Sequence, residues 1–179
     1  MSDAFEQAWV LIKMPLVRDS IEYGKPNYSG FPTATATFQH PDDPNVQYDM
    51  EARGSQGGTQ MKVFEPPTGM WDRRLAGSGY FQTGHDPNPD DTTTSDIGTE
   101  DRHRRKGVGT AMYDLINEMG KTKGVRLKTH AGNLSGDPDP LWARVLGLPY
   151  EGDDEVSAHT KFQRDNRKPF YWPEEGVYE

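Results

Sequence analysis

The sequence contains no cysteine. Disulfide bonds, thiolate metal sites and a cysteine nucleophile are therefore excluded. Long apolar runs are also missing, since the most apolar stretch near the start is Trp-Val-Leu-Ile at residues 9–12, which acidic residues precede and Lys13 ends. A signal peptide needs a basic start, and a membrane span needs about 20 apolar residues. We therefore expect a cytoplasmic chain without a membrane partner, in which this stretch forms a buried strand.

Basic residues are fewer than acidic ones, with 20 Lys and Arg against 28 Asp and Glu and a formal net charge of −8. General nucleic-acid binding relies on a broad basic surface, so this balance argues against nucleic acid as a partner. It is compatible with a cationic partner, such as an amine-bearing small molecule or protein. The five histidines are scattered without the paired spacing of a helical zinc site, so no metal site is predicted.

Hydrophobic residues make up only 32% of the chain, whereas there are 19 Gly and 14 Pro. Such a composition indicates many turns and long loops around a modest core, and 179 residues are expected to form one domain. Residues 1–91 are predicted to be mainly β, with candidate strands at 8–13, 33–40, 46–52 and 59–64 and an irregular segment at 65–91. Residues 151–179 are expected to hold one more strand, near 156–162, and an aromatic tail that packs on its own domain.

A cluster of basic and small residues lies in the middle of the chain: Arg104, Arg105, Lys106, Gly107, Val108, Gly109 and Thr110. Behind it, residues 108–119 place apolar side chains at steps of three and four, which predicts an amphipathic helix with Asp114 and Asn117 on its polar face and Gly120 as its cap. Residues 92–99 before the cluster suit a strand, and residues 125–130 alternate as a strand with one wetter face does. The predicted unit is therefore strand, basic loop, helix, strand.

This arrangement favours an anionic phosphate group as a ligand. The first amides of a helix have no intrahelical acceptor, and the helix dipole adds partial positive charge at the same place. Gly107 and Gly109 carry no Cβ that would keep phosphate oxygens away, Arg104 can bind phosphate with two parallel hydrogen bonds, and Lys106 adds a point charge. A Walker loop would need Gly-Lys-Ser/Thr, and a dinucleotide fingerprint would need a glycine where Met112 stands. A solvated basic turn before an ordinary packed helix is the alternative that this pattern leaves open.

The pattern Arg104-x-x-Gly107-x-Gly109 resembles the Arg/Gln-x-x-Gly-x-Gly/Ala signature of the GNAT superfamily of N-acetyltransferases. In that family a strand precedes the signature, a helix follows it, and the loop holds the pyrophosphate of acetyl-CoA. Residues 141–148 are similar to the family's later short helix, so the resemblance covers about residues 92–150, the expected cofactor-binding unit. It implies an α+β fold with a central, mostly antiparallel twisted sheet.

The resemblance also implies roles for particular residues. Acetyl-CoA would act as co-substrate, with its pyrophosphate on residues 104–110 and its pantetheine arm beside Ile97 and Thr99. Asn133 is the candidate for an asparagine that often follows the next strand. An acceptor amine must lose a proton before it attacks, and the nearest carboxylates, Asp96 and Glu100, are the candidate catalytic bases. The acetyl group would pass directly to the amine, without a covalent enzyme intermediate.

Two other function classes stay open at this point. Many family members have a tyrosine four residues before the glycine that closes the short helix, and Ala143 occupies that position here. The chain is therefore either an acetyltransferase or a catalytically degenerate relative that acts as a binding or inhibitor protein. A small phosphate-binding or nucleic-acid-binding module that uses the same basic loop is the third reading. Neither the acceptor nor the oligomeric state is indicated by the sequence.

Overall fold

The structure is a computed structural model that describes residues 16–26, 32–40, 43–55, 58–69, 73–83, 91–104, 106–129 and 170–172. Several sequence predictions fall outside these residues: the strands at 8–13 and 156–162, the helix at 141–148, and Asn133. Within the described part of the chain, no helix is both long enough and apolar enough to cross a membrane.

A single sheet of eight strands forms the centre of the described structure, and its strands lie side by side in sequence order. The six strands that come first along the chain are antiparallel to their neighbours. They are β1 (Leu16–Tyr23), β2 (Ala34–Gln39), β3 (Gln47–Ser55), β4 (Gly58–Phe64), β5 (Leu75–Thr83) and β6 (Asp91–Thr99). The predicted strands at 33–40, 46–52 and 59–64 are confirmed, because alternating apolar residues give β2 to β4 one buried face.

The long helix α1 (Val108–Lys121) connects β6 to β7 (Arg126–Thr129), which lies parallel to β6. The short strand β8 (Phe170–Tyr171) then pairs antiparallel with β7. Parallel neighbours need such a crossover connection, whereas antiparallel neighbours need only a turn. The fold is therefore α+β, and the predicted order of strand, basic loop, helix and strand is confirmed for residues 91–129.

The core lies between the sheet and α1, which contacts β1, β2 and β4 to β7. The apolar stripe of the helix is fully buried against alternating residues of the strands. The largest side chains of this core come from both the strands and the helix and are less than 2% exposed. They include Phe38, Met50, Met61, Phe81, Met112 and Leu115. Gly77 on β5 allows this close packing, since a Cβ there would lie 2.9 Å from Val108 Cγ1 and 3.0 Å from the Gly98 carbonyl oxygen.

Besides the short strand β8 in the expected aromatic tail, two strands were not predicted. β5 lies within the segment expected to be irregular, because Gly77, Ser78 and Gly79 resemble a turn in sequence. β1 lies just after the predicted strand at 8–13 and carries a long irregularity, in which Ser20 Oγ accepts from the Thr37 amide at 2.9 Å and replaces a backbone partner. In both strands, contacts with distant residues decide the backbone conformation, and local pattern does not show them.

The end of α1 also differs from the prediction. Gly120 lies inside the helix, where a Cβ would come within 2.7 Å of the Val125 carbonyl oxygen. At this end of the helix the positive φ belongs to Gly124, at +69°, in the turn that leads to β7. Gly120 therefore allows β7 to pack closely on the helix and does not cap it.

The expected polar face of α1 is largely buried. Asp114 and Asn117 are 5% and 6% exposed. Asp114 Oδ1 accepts a hydrogen bond from Trp172 Nε1 at 3.0 Å, and the Trp172 ring stacks on Tyr113 with ring centroids 4.8 Å apart. The aromatic tail thus packs on its own domain at Trp172, and it covers a helix face that sequence alone assigns to solvent. On β7, the residue predicted to face solvent at 128 is likewise buried, with Lys128 only 4% exposed.

Candidate functional site

A single turn of 3-10 helix, Asp101–His103, connects the end of β6 to the basic loop. The Glu100 amide donates to the Ala76 carbonyl at 3.0 Å, which keeps the end of β6 beside β5. The His103 amide donates to the Glu100 carbonyl at 2.7 Å, and the Lys106 amide donates to the His103 carbonyl at 3.4 Å. The loop therefore leaves β6 as two successive tight turns that end at Gly107.

Gly107 forms the N-cap of α1 in the left-handed conformation, with φ of 84° and ψ of 4°. Residues with a Cβ rarely adopt this conformation, so glycine is required here for steric reasons. The Gly107 carbonyl accepts from the Ala111 amide at 2.9 Å, which starts the helix. Among the described residues no side chain caps the start of the helix, and the first turn of the helix contains no acidic residue. The amides of Val108, Gly109 and Thr110 therefore have no intrahelical acceptor, and the positive end of the helix dipole is not compensated by a carboxylate of that turn.

The cations of the loop differ in what they contact. Arg104 is exposed, and its Nε lies 3.1 Å from Asp101 Oδ1, a carboxylate that is itself 90% exposed. A surface ion pair of this kind contributes only about 0–1 kcal/mol, so Arg104 can exchange it for a phosphate at little cost. Lys106 is half-buried. Arg102 lies 2.5 Å from Glu65 Oε1 and so serves a different partner, while Arg105 lies outside the described residues.

The end of β6 runs beside this loop. β7 pairs with β6 only at Asp91–Thr93, so in the described part of the chain no strand pairs with Ile97 or Thr99 on the side away from β5. The register between β5 and β6 shifts between Tyr80 and Phe81. Ser95 on β6 therefore has no residue opposite it on β5 and forms a bulge. Such bulges bend a strand and occur often beside active sites. The backbone near Ile97 and Thr99 is thus the part of β6 on which an extended ligand could lie.

The two candidate bases are placed differently. Glu100 is exposed and stands between β6 and the turn at 101–103. The backbone of Asp96 lies opposite Tyr80 at the bulge, although the Asp96 side chain lies outside the described part of the structure. The chain therefore brings Ile97, Thr99 and Glu100 into one segment with the loop.

Sequence reasoning missed Tyr80, whose position depends on the unpredicted strand β5. Tyr80 is half-buried, and its ring lies directly over Gly58. A Cβ on Gly58 would lie 2.7 Å from the Tyr80 hydroxyl oxygen. Tyr80 shares one row of the sheet with Asp96. The backbones of these two residues are therefore paired at the bulge of β6.

Sequence reasoning also missed a buried polar cluster beneath the loop, formed by Tyr48, Glu65 and His103. His103 Nε2 lies 2.6 Å from Glu65 Oε1, and His103 Nδ1 lies 3.1 Å from the Tyr48 hydroxyl oxygen. Burial raises the pKa of Tyr48, and the negative charge of Glu65 raises it further. Only tertiary structure reveals this cluster, since its members lie 55 and 38 residues apart from His103 along the chain.

A cavity of the described structure lies away from the basic loop. A cavity of about 340 Å³ is lined by residues of β1, β2 and β3, among them Tyr23, Ala34 and Arg53, and β4 and β5 separate it from β6 in the sheet. The described residues include no group of three His, Asp or Glu side chains that could hold a metal ion.

Comparison with protein-family models, curated proteins and solved structures found no match for this chain.

Proposed function

We propose that this protein binds acetyl-CoA at the start of α1 and transfers its acetyl group to an amine acceptor. The observation that carries the proposal is the left-handed Gly107, which is followed by three amides without intrahelical acceptors. Arg104 and Lys106 precede these amides along the chain, and the first turn of the helix contains no carboxylate. A diphosphate has the charge and the oxygen acceptors that such a site binds well.

The end of β6 supports the acetyl-CoA form of this proposal over a simple phosphate site. A ligand with its diphosphate at Gly107 could extend its pantetheine arm along Ile97 and Thr99, where backbone groups on the side away from β5 are not used by a described strand. Pantetheine contains two amides, and these can pair with strand backbone as another strand does. A free phosphate ion would gain nothing from that edge.

Acyl transfer at this position needs three groups from the chain: a base for the amine, a donor to the oxyanion and an acid for the thiolate. Asp96 or Glu100 would take the proton from the acceptor ammonium, directly or through water, so that the neutral amine can attack the thioester carbonyl. A backbone amide of β6 would donate to the oxyanion that develops as the new C–N bond forms. The C–S bond then breaks, and the thiolate of CoA takes up a proton, for which the Tyr80 phenol is a candidate donor. The new amide nitrogen releases its extra proton, which restores the phenol directly or through water. The products are the N-acetylated acceptor and CoA.

Calorimetric titration with acetyl-CoA tests the binding step. We expect heat of binding with acetyl-CoA and with CoA, and none at the same concentration with pantetheine, which lacks the diphosphate. The double variant Arg104→Glu, Gly109→Glu should abolish binding while the protein stays folded, because a glutamate in the first turn of a helix interacts favourably with the dipole. The matched control is Lys25→Glu, a charge reversal at an exposed residue two positions after the end of β1. Equal affinity in the double variant and the control would place the ligand elsewhere.

Turnover separates the enzyme from a binding protein. Incubation of the protein with acetyl-CoA and a panel of primary amines should release CoA thiol at a rate above the hydrolysis background. Asp96→Asn and Glu100→Gln should divide the two candidate bases, since only the true base lowers the rate without weakening acetyl-CoA binding. Binding without any turnover would support the degenerate binding protein.

A further inference from the structure

The imidazole of His103 is buried between the sheet and the basic loop. It is 6% exposed, and both of its ring nitrogens have partners on other elements. Nε2 contacts the carboxylate of Glu65, which directly follows β4, and Nδ1 contacts the hydroxyl of Tyr48 on β3. His103 thus links Tyr48 and Glu65 to the turn before Arg104.

The direction of these hydrogen bonds follows from the chemistry of the partners. An ionised carboxylate can only accept, so His103 Nε2–H donates to Glu65. In the neutral ring Nδ1 is then an acceptor, and the Tyr48 hydroxyl donates to it. Every polar atom of the imidazole is therefore used. The Tyr48 ring also packs edge-on against it, at 5.6 Å between centroids, and is itself stacked on Phe38 at 5.2 Å.

The backbone of the same residue is bonded to both ends of the turn. The His103 amide donates to the Glu100 carbonyl, and its carbonyl accepts from the Lys106 amide. Arg102 adds a second contact to Glu65. A rigid imidazole that contacts two elements of the sheet and is bonded on both sides along the chain determines where residues 104–107 begin and in which direction they run.

We infer that His103 is a positioning residue, which holds Arg104, Lys106 and the Gly107 turn over the first amides of α1 so that cations and amides reach the same phosphate group. The inference rests on the proposed function for the identity of the ligand. The position of the loop, however, can be measured without any ligand.

Trypsin measures that position directly, because its cleavage sites Arg104, Arg105 and Lys106 lie in the loop. Cleavage there requires the loop to leave its turns. His103→Leu removes both hydrogen bonds at similar volume, and we expect cleavage in the loop to become about tenfold faster, because a hydrogen bond to a carboxylate is lost. His103→Gln keeps a donor for Glu65 and should restore most of the protection. Tyr48→Phe removes only the hydroxyl and should give a smaller increase, of about threefold.

The matched control is His40→Leu. His40 directly follows β2 and stacks on Tyr48, with ring centroids 5.9 Å apart, so its replacement removes neither of the hydrogen bonds from the His103 ring to Tyr48 and Glu65. Its loop cleavage should stay at the wild-type rate. Cleavage after Lys62, in the middle of β4, reports global unfolding in every variant. Wild-type loop cleavage in His103→Leu, or an equal increase after Lys62, would overturn the inference.

Binding measurements on the same variants then link the loop to the ligand. The CoA affinity of His103→Leu should fall by a factor similar to the rise in loop cleavage, and His103→Gln should recover it. If wild-type protein does not bind CoA, the proposed function fails while the cleavage series still tests the role of His103. If CoA binds equally well to wild type and to a His103→Leu variant with a released loop, the inference about positioning fails while the proposed function stands.

Discussion

Trp172→Phe tests whether the aromatic tail is an integral part of the domain. The wild-type indole is completely buried, and its Nε1 donates to Asp114 Oδ1 at 3.0 Å. Phenylalanine keeps an aromatic ring against Tyr113 but has no N–H group. The buried Asp114 carboxylate would lose this donor, and a hydrogen bond to a charged group contributes about 1.5–3 kcal/mol. The smaller ring also leaves a cavity, so we expect a total loss of about 3 kcal/mol in the free energy of unfolding.

Urea unfolding followed by far-ultraviolet circular dichroism measures this loss, because the midpoint falls while the m-value stays constant if only stability changes. A double-mutant cycle isolates the hydrogen bond. In an Asp114→Ala background there is no carboxylate to leave without its donor, so Trp172→Phe should cost less there, by about 1.5–3 kcal/mol. Effects that add to within about 0.5 kcal/mol would refute the reasoning, since they would show that the two side chains are not coupled.

Three further predictions each concern one or two polar side chains. Thr59→Val should raise the free energy of unfolding by about 1 kcal/mol in urea, because Thr59 Oγ1 is buried without a partner in the described structure; a lower urea midpoint would contradict this. Asp101→Asn should tighten CoA binding about two- to fivefold by calorimetry, because it removes a negative charge beside Arg104 and the loop; weaker binding would argue against Arg104 as a ligand. The hydrogen bond from Arg73 lowers the pKa of Glu51, so this pair stabilises the fold above the ordinary carboxyl pKa and loses that effect as the pH falls through the lowered value. The stability difference between wild type and Arg73→Gln should therefore shrink in acid, and a difference that is constant with pH would contradict this.

The parts of the fold that local pattern determines could be predicted from the sequence. The apolar steps of α1 gave the position of the helix, because a helix that packs on a sheet needs one continuous stripe. The strands at 33–40 and 46–52 were predicted from their residues alone, and they form β2 and β3, which pair as antiparallel neighbours. The basic loop was predicted at the position that it occupies, because small and cationic residues directly precede the helical stripe.

The other parts depend on residues that are distant in sequence. β5 was missed because Gly77 and Gly79 resemble a turn, whereas Gly77 is needed for the close approach of α1. Asp114 was assigned to solvent because its partner, Trp172, follows 58 residues later. The contacts of His103 could not be predicted from the sequence either, because neither Tyr48 nor Glu65 is near His103 along the chain.

The proposed function requires the first amides of α1 to bind a diphosphate. Titration of ¹⁵N-labelled protein with CoA, followed by amide chemical shifts in two-dimensional NMR spectra, tests it most directly. The largest shifts should belong to Val108, Gly109 and Thr110, and ADP, which shares the diphosphate, should move the same signals, whereas pantetheine should not. If CoA binds while these three amides stay unchanged, or if no signal moves at millimolar CoA, the claim is wrong.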